Sequence, residues 1–250
     1  MGAPLSSSPT MPTATLTTES YSETHIIPLR ASPATSKVMV TDVREQQASV
    51  ASTLRSLYNR AARAFLHRDV ALAHSLSESA FAILPPPKLH QDSLADQRRK
   101  WDILRITLEV TVYTSPPTDS AAIPPSLRSN AMMSAQSLIS ALHARSLQMF
   151  TPTKKPDAAF LPSQVLVTLA LGSMKTDCPA VGRAIIEEWL ARRGHSAMYA
   201  GAENTNRQSP DGYEKVLDVY CLNVLPMLEE WDYALEFLEY ETELEPSRRQ

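Results

Sequence analysis

Apolar residues recur with helical spacing from Val43 onward. The first stripe falls at i, i+3, i+4 and i+7, which is typical of one face of an amphipathic helix. Its members are Leu54, Leu57, Tyr58, Ala61, Ala64 and Phe65. A second stripe, with Asp69 as a predicted N-cap, consists of Leu72, Ala73, Leu76, Ala80, Ile83 and Leu84. Pro85-Pro86-Pro87 ends it, so residues 44–84 are predicted to form a helical hairpin with a short turn near Arg68.

The same reasoning predicts the rest of an all-α fold. Helices are expected at 92–113, 126–150, 163–175 and 179–193, with Gly194 as a helix stop, and a last hairpin at 211–244. In that hairpin, Trp231, Ala234, Leu235 and Leu238 are predicted to face inward, and Pro226 is predicted to kink the first helix. The prediction is therefore an irregular α-solenoid or bundle of about eight helices in antiparallel hairpins.

Two hairpins share a tetratricopeptide-like detail, an alanine in the second helix followed twelve residues later by a proline. The pairs are Ala73 with Pro85 and Ala234 with Pro246. A small residue lets two helices approach closely, and the proline ends the unit. No strict 34-residue period holds, so a regular repeat array is not predicted.

The N-terminal segment differs from the rest of the chain. Among its first 41 residues are five proline, seven serine and eight threonine residues. Such a segment buries too little apolar surface to offset its ordering entropy, so residues 1–42 are predicted to be a disordered arm. An all-helical domain is expected over 43–246, with 247–250 as a C-terminal end.

Composition narrows the chemistry. The 250 residues include six glycines and nineteen prolines, which disfavours turn-rich β folds and glycine-rich phosphate loops. Two cysteines exclude a disulfide framework and a four-cysteine zinc site. The six histidines form no His-Glu-x-x-His pair, and no Gly-x-Ser-x-Gly sequence occurs. We therefore predict a protein that is not an enzyme, with no catalytic, cofactor-binding or metal-binding residues.

Charge is distributed unevenly, although the net charge is only −3. Residues 226–246 carry eight acidic side chains and no lysine or arginine, whereas residues 44–68 carry five arginines and one acid. One interpretation is solvated helix faces of opposite sign. The other is an electrostatically complementary protein interface, whose predicted partner-binding residues are Arg55, Arg60, Arg63, His67 and Arg68. Nucleic acid and small-molecule partners are not predicted, since the net charge is negative and aromatics do not interleave the basic residues.

Three segments, in order, resemble the peroxisome assembly protein 26 family and its fungal counterparts. They cover most of residues 44–240. The segments are His67-Arg68-Asp69-Val70 through Ala73, Glu78, Ala80 and Phe81; Leu161-Pro162-Ser163-Gln164-Val165-Leu166 with Pro179-Ala180-Val181 and Trp189-Leu190; and Tyr213 with Val224-Leu225-Pro226 and Ala234. The match consists of the order and spacing of mostly apolar positions rather than of a single motif.

The resemblance implies an all-helical, non-catalytic adaptor on the cytosolic face of the peroxisomal membrane. Such adaptors recruit a heterohexameric AAA ATPase, through an N-terminal domain of the motor, so that the import receptor can be extracted and recycled. The family's C-terminal membrane anchor is not found in this sequence, which ends Ser247-Arg248-Arg249-Gln250, and the chain itself is predicted to be soluble. The alternative is a generic helical-repeat module that binds a peptide or protein partner and is unrelated to peroxisomes.

Overall fold

A computed structural model describes residues 35–89, 92–119, 123–199, 210–244 and 247. These residues form packed helices and no β-strand, which confirms the predicted all-α fold. The helices are α1 (Thr35–Leu66), α2 (Val70–Ile83), α3 (Ala95–Thr114), α4 (Pro125–Ala131), α5 (Ala135–Phe150), α6 (Ser163–Lys175), α7 (Pro179–Tyr199), α8 (Pro210–Val219), α9 (Leu225–Met227) and α10 (Trp231–Tyr240). A 3-10 turn, Ala158–Phe160, precedes α6.

The chain divides into two units, Met1–Val40 and Thr41–Gln250. The first unit contributes only the beginning of α1 to the described residues. Helix α1 begins at Thr35, earlier than predicted, because no proline follows Pro33 until Pro85 and none of the residues from Thr35 to Val43 interrupts the helix. Residues 1–34 of the predicted arm lie outside the described residues, so disorder there stays a prediction.

Three helical hairpins close with the same turn. In the α1–α2, α6–α7 and α9–α10 connections, one residue takes a left-handed backbone conformation: Arg68 (φ 60°), Asp177 (φ 58°) and Glu229 (φ 61°). In each turn, the amide of the following residue donates to the carbonyl five positions earlier, at 2.8–3.0 Å. This is the Schellman arrangement, which satisfies carbonyls at a helix end. The position usually favours glycine, so the sequence carries no signal for it at these three places.

The three hairpins also share a small residue five positions after that left-handed residue. These residues are Ala73, Gly182 and Ala234, and all three are buried. At Gly182 a Cβ would lie 2.2 Å from Ser173 Oγ, so α6 and α7 pack too closely there for a side chain. The sequence pattern identified Ala73 and Ala234; Gly182, the equivalent position of the middle hairpin, was missed because glycine replaces alanine.

Helix α3 lies at the centre of the fold, because its residues belong to three apolar clusters. Trp101 and Leu104 pack with Leu54 and Leu76 of the first hairpin. Leu108 and Val112 pack beside Ala64, Val70, Ala73, Ile123 and Leu127. Ile106 and Val110 join the largest cluster, which α5 to α10 build around Trp189 and Tyr220. The sequence predicted one buried stripe on this helix, whereas the structure buries it on almost every side.

Three other boundaries differ from the prediction. The helix expected at 126–150 is divided, because Ser134 caps α5 by accepting from the Ser137 amide at 3.2 Å. Helix α7 continues through Gly194 to Tyr199, so Gly194 does not end it. Pro226 leaves its helix continuous, since the preceding residues Tyr220–Val224 widen into a π turn. That turn accommodates the missing amide and the bulk of the proline ring.

Candidate functional site

The five predicted partner-binding residues are all exposed on or beside α1. Arg60, Arg63 and His67 follow helical i, i+3, i+7 spacing and share the outer side of α1. Arg55 lies on a different stripe, and its Nε donates to the Ala51 carbonyl of its own helix at 3.2 Å. Arg68 lies beyond the helix end, in the turn. The structure therefore brings three of the five residues onto one face and leaves their binding role a prediction.

A second exposed surface lies on α10, where sequence reasoning expected core. Trp231 is 60% exposed, Leu235 68% and Tyr240 75%. The predictions that Trp231 and Leu235 face inward are therefore wrong, while the one for Ala234 is confirmed. We call the outward side of this helix the α10 face. Its members are Trp231, Asp232, Leu235, Glu236, Glu239 and Tyr240.

Helix geometry determines the order of the side chains around the α10 face. At about 100° per residue, Glu239, Asp232 and Glu236 form the middle of the outward arc. Trp231 and Leu235 form one edge of it, and Tyr240 forms the other. Ala234, Phe237 and Leu238 turn toward the main apolar cluster, where the Phe237 ring meets Tyr220 edge-to-face at 5.5 Å. The face is therefore a line of carboxylates between two aromatic or apolar edges.

Arginines from α7 hold the α10 hairpin in place. The Arg183 guanidinium pairs with Glu230 and lies 5.0 Å from the Tyr233 ring centroid. Hydrogen bonding to Glu187 raises the pKa of Arg183, so it stays charged. Arg193 contacts both carboxylate oxygens of Glu243 at 2.7 Å. These pairs neutralise acids beside α10 and fix the helix, while the three carboxylates of the α10 face point to solvent.

Two tyrosines continue this anchoring. Tyr213 Oη donates to Glu241 at 2.7 Å, and Tyr220 Oη donates to Glu187 at 2.8 Å. Burial first, and then these hydrogen bonds, raise the pKa of both phenols, so both remain neutral donors. Arg193 also stacks 3.8 Å from the Tyr213 ring centroid. The α10 face is thus presented by a rigid support rather than by a loose terminal helix.

A hollow of about 270 Å³ opens beside the α10 face. Its lining is Tyr233, Glu236, Phe237, Tyr240 and Glu241. Three aromatic rings and two carboxylates thus surround one concavity, which we call the tyrosine hollow. Aromatic faces and carboxylates both attract cations, so the lining favours a positively charged group over a neutral or anionic one.

A larger groove of about 560 Å³ lies elsewhere, between the start of α3, the 150–162 loop, α6 and α8. Its lining mixes apolar residues such as Phe160 and Val167 with Lys88, Arg99 and Lys215. Gly212 lies at its α8 edge, where a Cβ would come 2.5 Å from Ser163 Oγ. A groove of this size and mixed lining fits an extended peptide better than a compact metabolite.

Helix α3 carries four buried charged residues at helical spacing, Arg98, Asp102, Arg105 and Glu109. Asp102 accepts from Arg105 at 2.5 Å and from Ser146 Oγ at 2.7 Å. Glu109 accepts from Arg145 Nη2 at 2.5 Å and from Asn130 Nδ2 at 2.6 Å. Arg98 pairs with Asp92 and donates to the Pro85 carbonyl at 2.8 Å. Because each of these charges has a partner within the protein, they tie α3 to its neighbours rather than form a binding site.

Burial affects the pKa of Arg105 in that network. Desolvation lowers it, and the Asp102 carboxylate opposes the change. The guanidinium also lies 4.2 Å from the Phe81 ring centroid, which gives it a favourable cation–π contact. Sequence reasoning noted Arg98 and Arg105 only as members of a basic group and did not predict that the stripe is buried, because charged residues at i, i+4, i+7, i+11 spacing usually mark an exposed face.

Neither cysteine has the surroundings of a nucleophile. Both are free and buried. Burial raises the pKa of Cys221 to about 11, so its thiol stays protonated near neutrality. Cys178 lies 3.2 Å from Thr176 Oγ1. No three His, Cys, Asp or Glu side chains are grouped to hold a metal ion within the part of the chain that the structure describes.

None of the described helices combines the length and the apolar character that crossing a bilayer requires. Comparison of the chain with protein families, with characterised proteins and with solved structures gives no match. Function therefore has to be argued from the surfaces above and from the resemblance in the sequence.

The α10 face is the functional candidate that sequence reasoning missed. Its signal was present, since Trp231, Tyr233 and Tyr240 interleave the acidic residues of 226–246. The helical period and the usual burial of tryptophan assigned Trp231, with Leu235, to the core. Only the arrangement of the other helices determines which side of a short terminal helix is covered.

Proposed function

We propose that this protein is a non-catalytic adaptor that recruits the peroxisomal AAA ATPase heterohexamer to the peroxisomal membrane, for export and recycling of the import receptor. Docking of a protein partner is supported by the α10 face, which presents large exposed apolar residues on an anchored helix. Tryptophan and tyrosine dominate the binding energy of protein interfaces when a partner buries them. The peroxisomal part rests on the resemblance in the three segments quoted above.

The size of the α10 face limits its role. A helix of ten residues is about 15 Å long, whereas a stable interface covers about 800 Å² on each partner. The α10 face is therefore suited to be the energetic centre of a larger contact. Leu222 and Met227, which precede α10 in the same hairpin, are also exposed apolar residues.

The direct test is retention of the purified ATPase N-terminal domains by the immobilised full chain. We expect retention by the wild type and a loss of about tenfold or more in affinity for Trp231→Ala. Met132→Ala, at an exposed apolar position outside both α10 and the predicted basic residues, is the matched control and should bind like the wild type. Absence of retention above background would discard the adaptor.

The same assay evaluates the predicted basic residues. Reversing Arg60 and Arg63 to Glu alters the shared face of α1 and leaves the core untouched. Weaker binding by this variant, with unchanged helical circular dichroism, would assign part of the contact to α1. Equal binding would remove Arg60 and Arg63 from the interface and leave the α10 face as the docking surface.

A second candidate function is a peptide-binding helical module unrelated to peroxisomes. The 560 Å³ groove beside α3, α6 and α8 favours it. Val167→Arg would fill this groove from a half-buried position on α6. Two results together would favour this function over the adaptor: the ATPase domains are not retained, and a peptide selected from a random library binds the wild type but not Val167→Arg.

A further inference from the structure

The tyrosine hollow and the α10 face together indicate what kind of partner segment docks there. The hollow offers three aromatic rings and two carboxylates, and the adjoining face adds Asp232 and Glu239. Residues 226–246 contain no lysine and no arginine. A neutral or acidic segment placed on this surface would leave several carboxylates without compensation.

Two cationic side chains of the protein already bind next to the α10 face, and their contacts show which groups hold a cation there. Two arginines of α7 reach the C-terminal hairpin, and both combine a carboxylate with an aromatic ring. Arg183 pairs with Glu230 over the Tyr233 ring, and Arg193 pairs with Glu243 over the Tyr213 ring. The hollow repeats that combination with Glu236, Tyr240 and Phe237 and opens it to solvent.

We propose that the α10 face binds a lysine- or arginine-bearing amphipathic segment of a partner protein, and that the tyrosine hollow receives one of its cationic side chains. The apolar side of the segment covers Trp231 and Leu235, and its cations meet Asp232, Glu236 and Glu239. This inference rests on the proposed function, because it specifies the chemistry of the partner at the docking surface. An anionic lipid surface or a nucleic acid would be repelled by the same carboxylates.

The test uses a fluorescent amphipathic peptide of about 15 residues that presents leucine on one side and lysine on the other. A control peptide carries glutamate in place of each lysine. With the full chain, we expect the lysine peptide to bind and its affinity to fall as salt is raised from 0.05 to about 0.5 M. The glutamate peptide should not bind.

Matched variants locate the contact. Tyr240→Ala should weaken binding of the lysine peptide by about 2- to 30-fold, the range expected for a cation–π contact. Tyr240→Phe keeps the ring and should restore binding. Glu236→Gln with Glu239→Gln should weaken binding and flatten its salt dependence. Glu78→Gln on α2, an exposed acid far along the chain, is the charge control and should bind like the wild type.

Three results would overturn the inference. The first is equal binding of the two peptides, and the second is unchanged binding by Tyr240→Ala. The third is self-association of the chain that is lost when Arg60 and Arg63 are reversed to Glu, because the occupant would then be a second copy of this chain. Failure here is distinguishable from failure of the proposed function, because the peptide assay contains no ATPase. Peptide binding without ATPase retention removes the adaptor alone, and Trp231-dependent ATPase retention without peptide binding removes this inference alone.

Discussion

The dipeptide Trp-Asp occurs in α3, as Trp101-Asp102, and again in α10, as Trp231-Asp232. In α3 both side chains are fully buried, whereas in α10 both are exposed. Trp101 is enclosed by Tyr58 of α1 and Phe81 of α2, with ring centroids at 5.4 and 6.5 Å. Asp102 is held by Arg105 and Ser146.

The same dipeptide therefore stabilises the fold in α3, where it is buried, and remains available for binding in α10, where it is exposed. Helix α3 lies between three apolar clusters and needs a partner for every charge it buries. Helix α10 packs on one side only, so its carboxylates keep their water and its tryptophan remains uncovered. The comparison can be tested by making the same substitution in both helices.

The aspartates are among the residues with the largest expected effect. Asp102→Ala should lower the free energy of unfolding by about 3–5 kcal/mol, because it leaves Arg105 charged, buried and unpaired. Asp232→Ala should change it by less than about 1 kcal/mol, the value of an exposed acid in a first helical turn. Urea unfolding followed by circular dichroism measures both. Similar costs for the two substitutions would contradict the burial of the α3 stripe.

The tryptophans should differ in the same direction. Trp101→Ala removes a fully buried ring and should cost about 3–5 kcal/mol. Trp231→Ala should cost less than about 1 kcal/mol, since most of its surface is already in water. Thermal unfolding of the two variants beside the wild type is sufficient to compare them. A large loss for Trp231→Ala would show that this ring packs the hairpin and would remove it from the binding surface.

A pH titration extends the comparison to a buried histidine. Burial lowers the pKa of His143 below its ordinary value of 6.5, against an opposing effect of Glu188. The folded protein therefore takes up this proton less readily than the unfolded chain does. The stabilising contribution is complete above pH 6.5 and is lost as pH falls below it.

The variant His143→Leu isolates that effect. Its stability relative to the wild type should rise between pH 7.5 and about 5, because only the wild type has a buried imidazole to charge. Urea unfolding at several pH values gives this difference directly. A difference that does not change with pH would show that His143 is hydrated in the folded state.

The smallest effect concerns the turn that leads into α10. Glu229 holds a left-handed conformation that costs a non-glycine residue about 1–2 kcal/mol, and glycine loses part of that gain to chain entropy. Glu229→Gly should therefore stabilise the fold by about 0.5–1 kcal/mol. Glu239→Gly, at an exposed position inside α10, is the contrasting control and should destabilise. A loss of stability in Glu229→Gly would mean that the glutamate side chain contributes more than its backbone strain costs.

Much of the architecture was predictable from local patterns. The periods of apolar residues, the cap at Asp69 and the proline stop after Leu84 located the turn and the second helix of the first hairpin within a few residues, whereas α1 begins at Thr35 rather than near residue 44. Alanine followed by proline pointed to two of the three hairpins that share a turn. The pattern did not identify the third, the α6–α7 hairpin, because Gly182 occupies the position of the alanine. The shared turn itself was not predicted because its residues Arg68, Asp177 and Glu229 are not glycines.

The candidate surface was predictable in charge but not in exposure. The acidic character of 226–246 and the basic character of 44–68 are both present in the sequence, and Arg60, Arg63 and His67 do share a face of α1. The segments that resemble the peroxisome assembly family supply core positions as well. Trp189 of the middle segment is buried, and its Nε1 donates to the Leu161 carbonyl at 2.9 Å. Such positions report on the fold more than on the binding surface.

Local sequence was enough to predict where the chain is helical, where most helices end and how charge differs between residues 44–68 and 226–246. Those properties depend on backbone hydrogen bonds and side chains only a few residues apart. The packing of the helices, in contrast, determines which Trp-Asp pair is buried, which residues pair with the charges of α3, and which side of α10 is exposed. Those outcomes depend on contacts between helices that are distant in sequence, such as α1 and α2 around Trp101. The spacing of residues within one helix does not indicate which other helices pack against it.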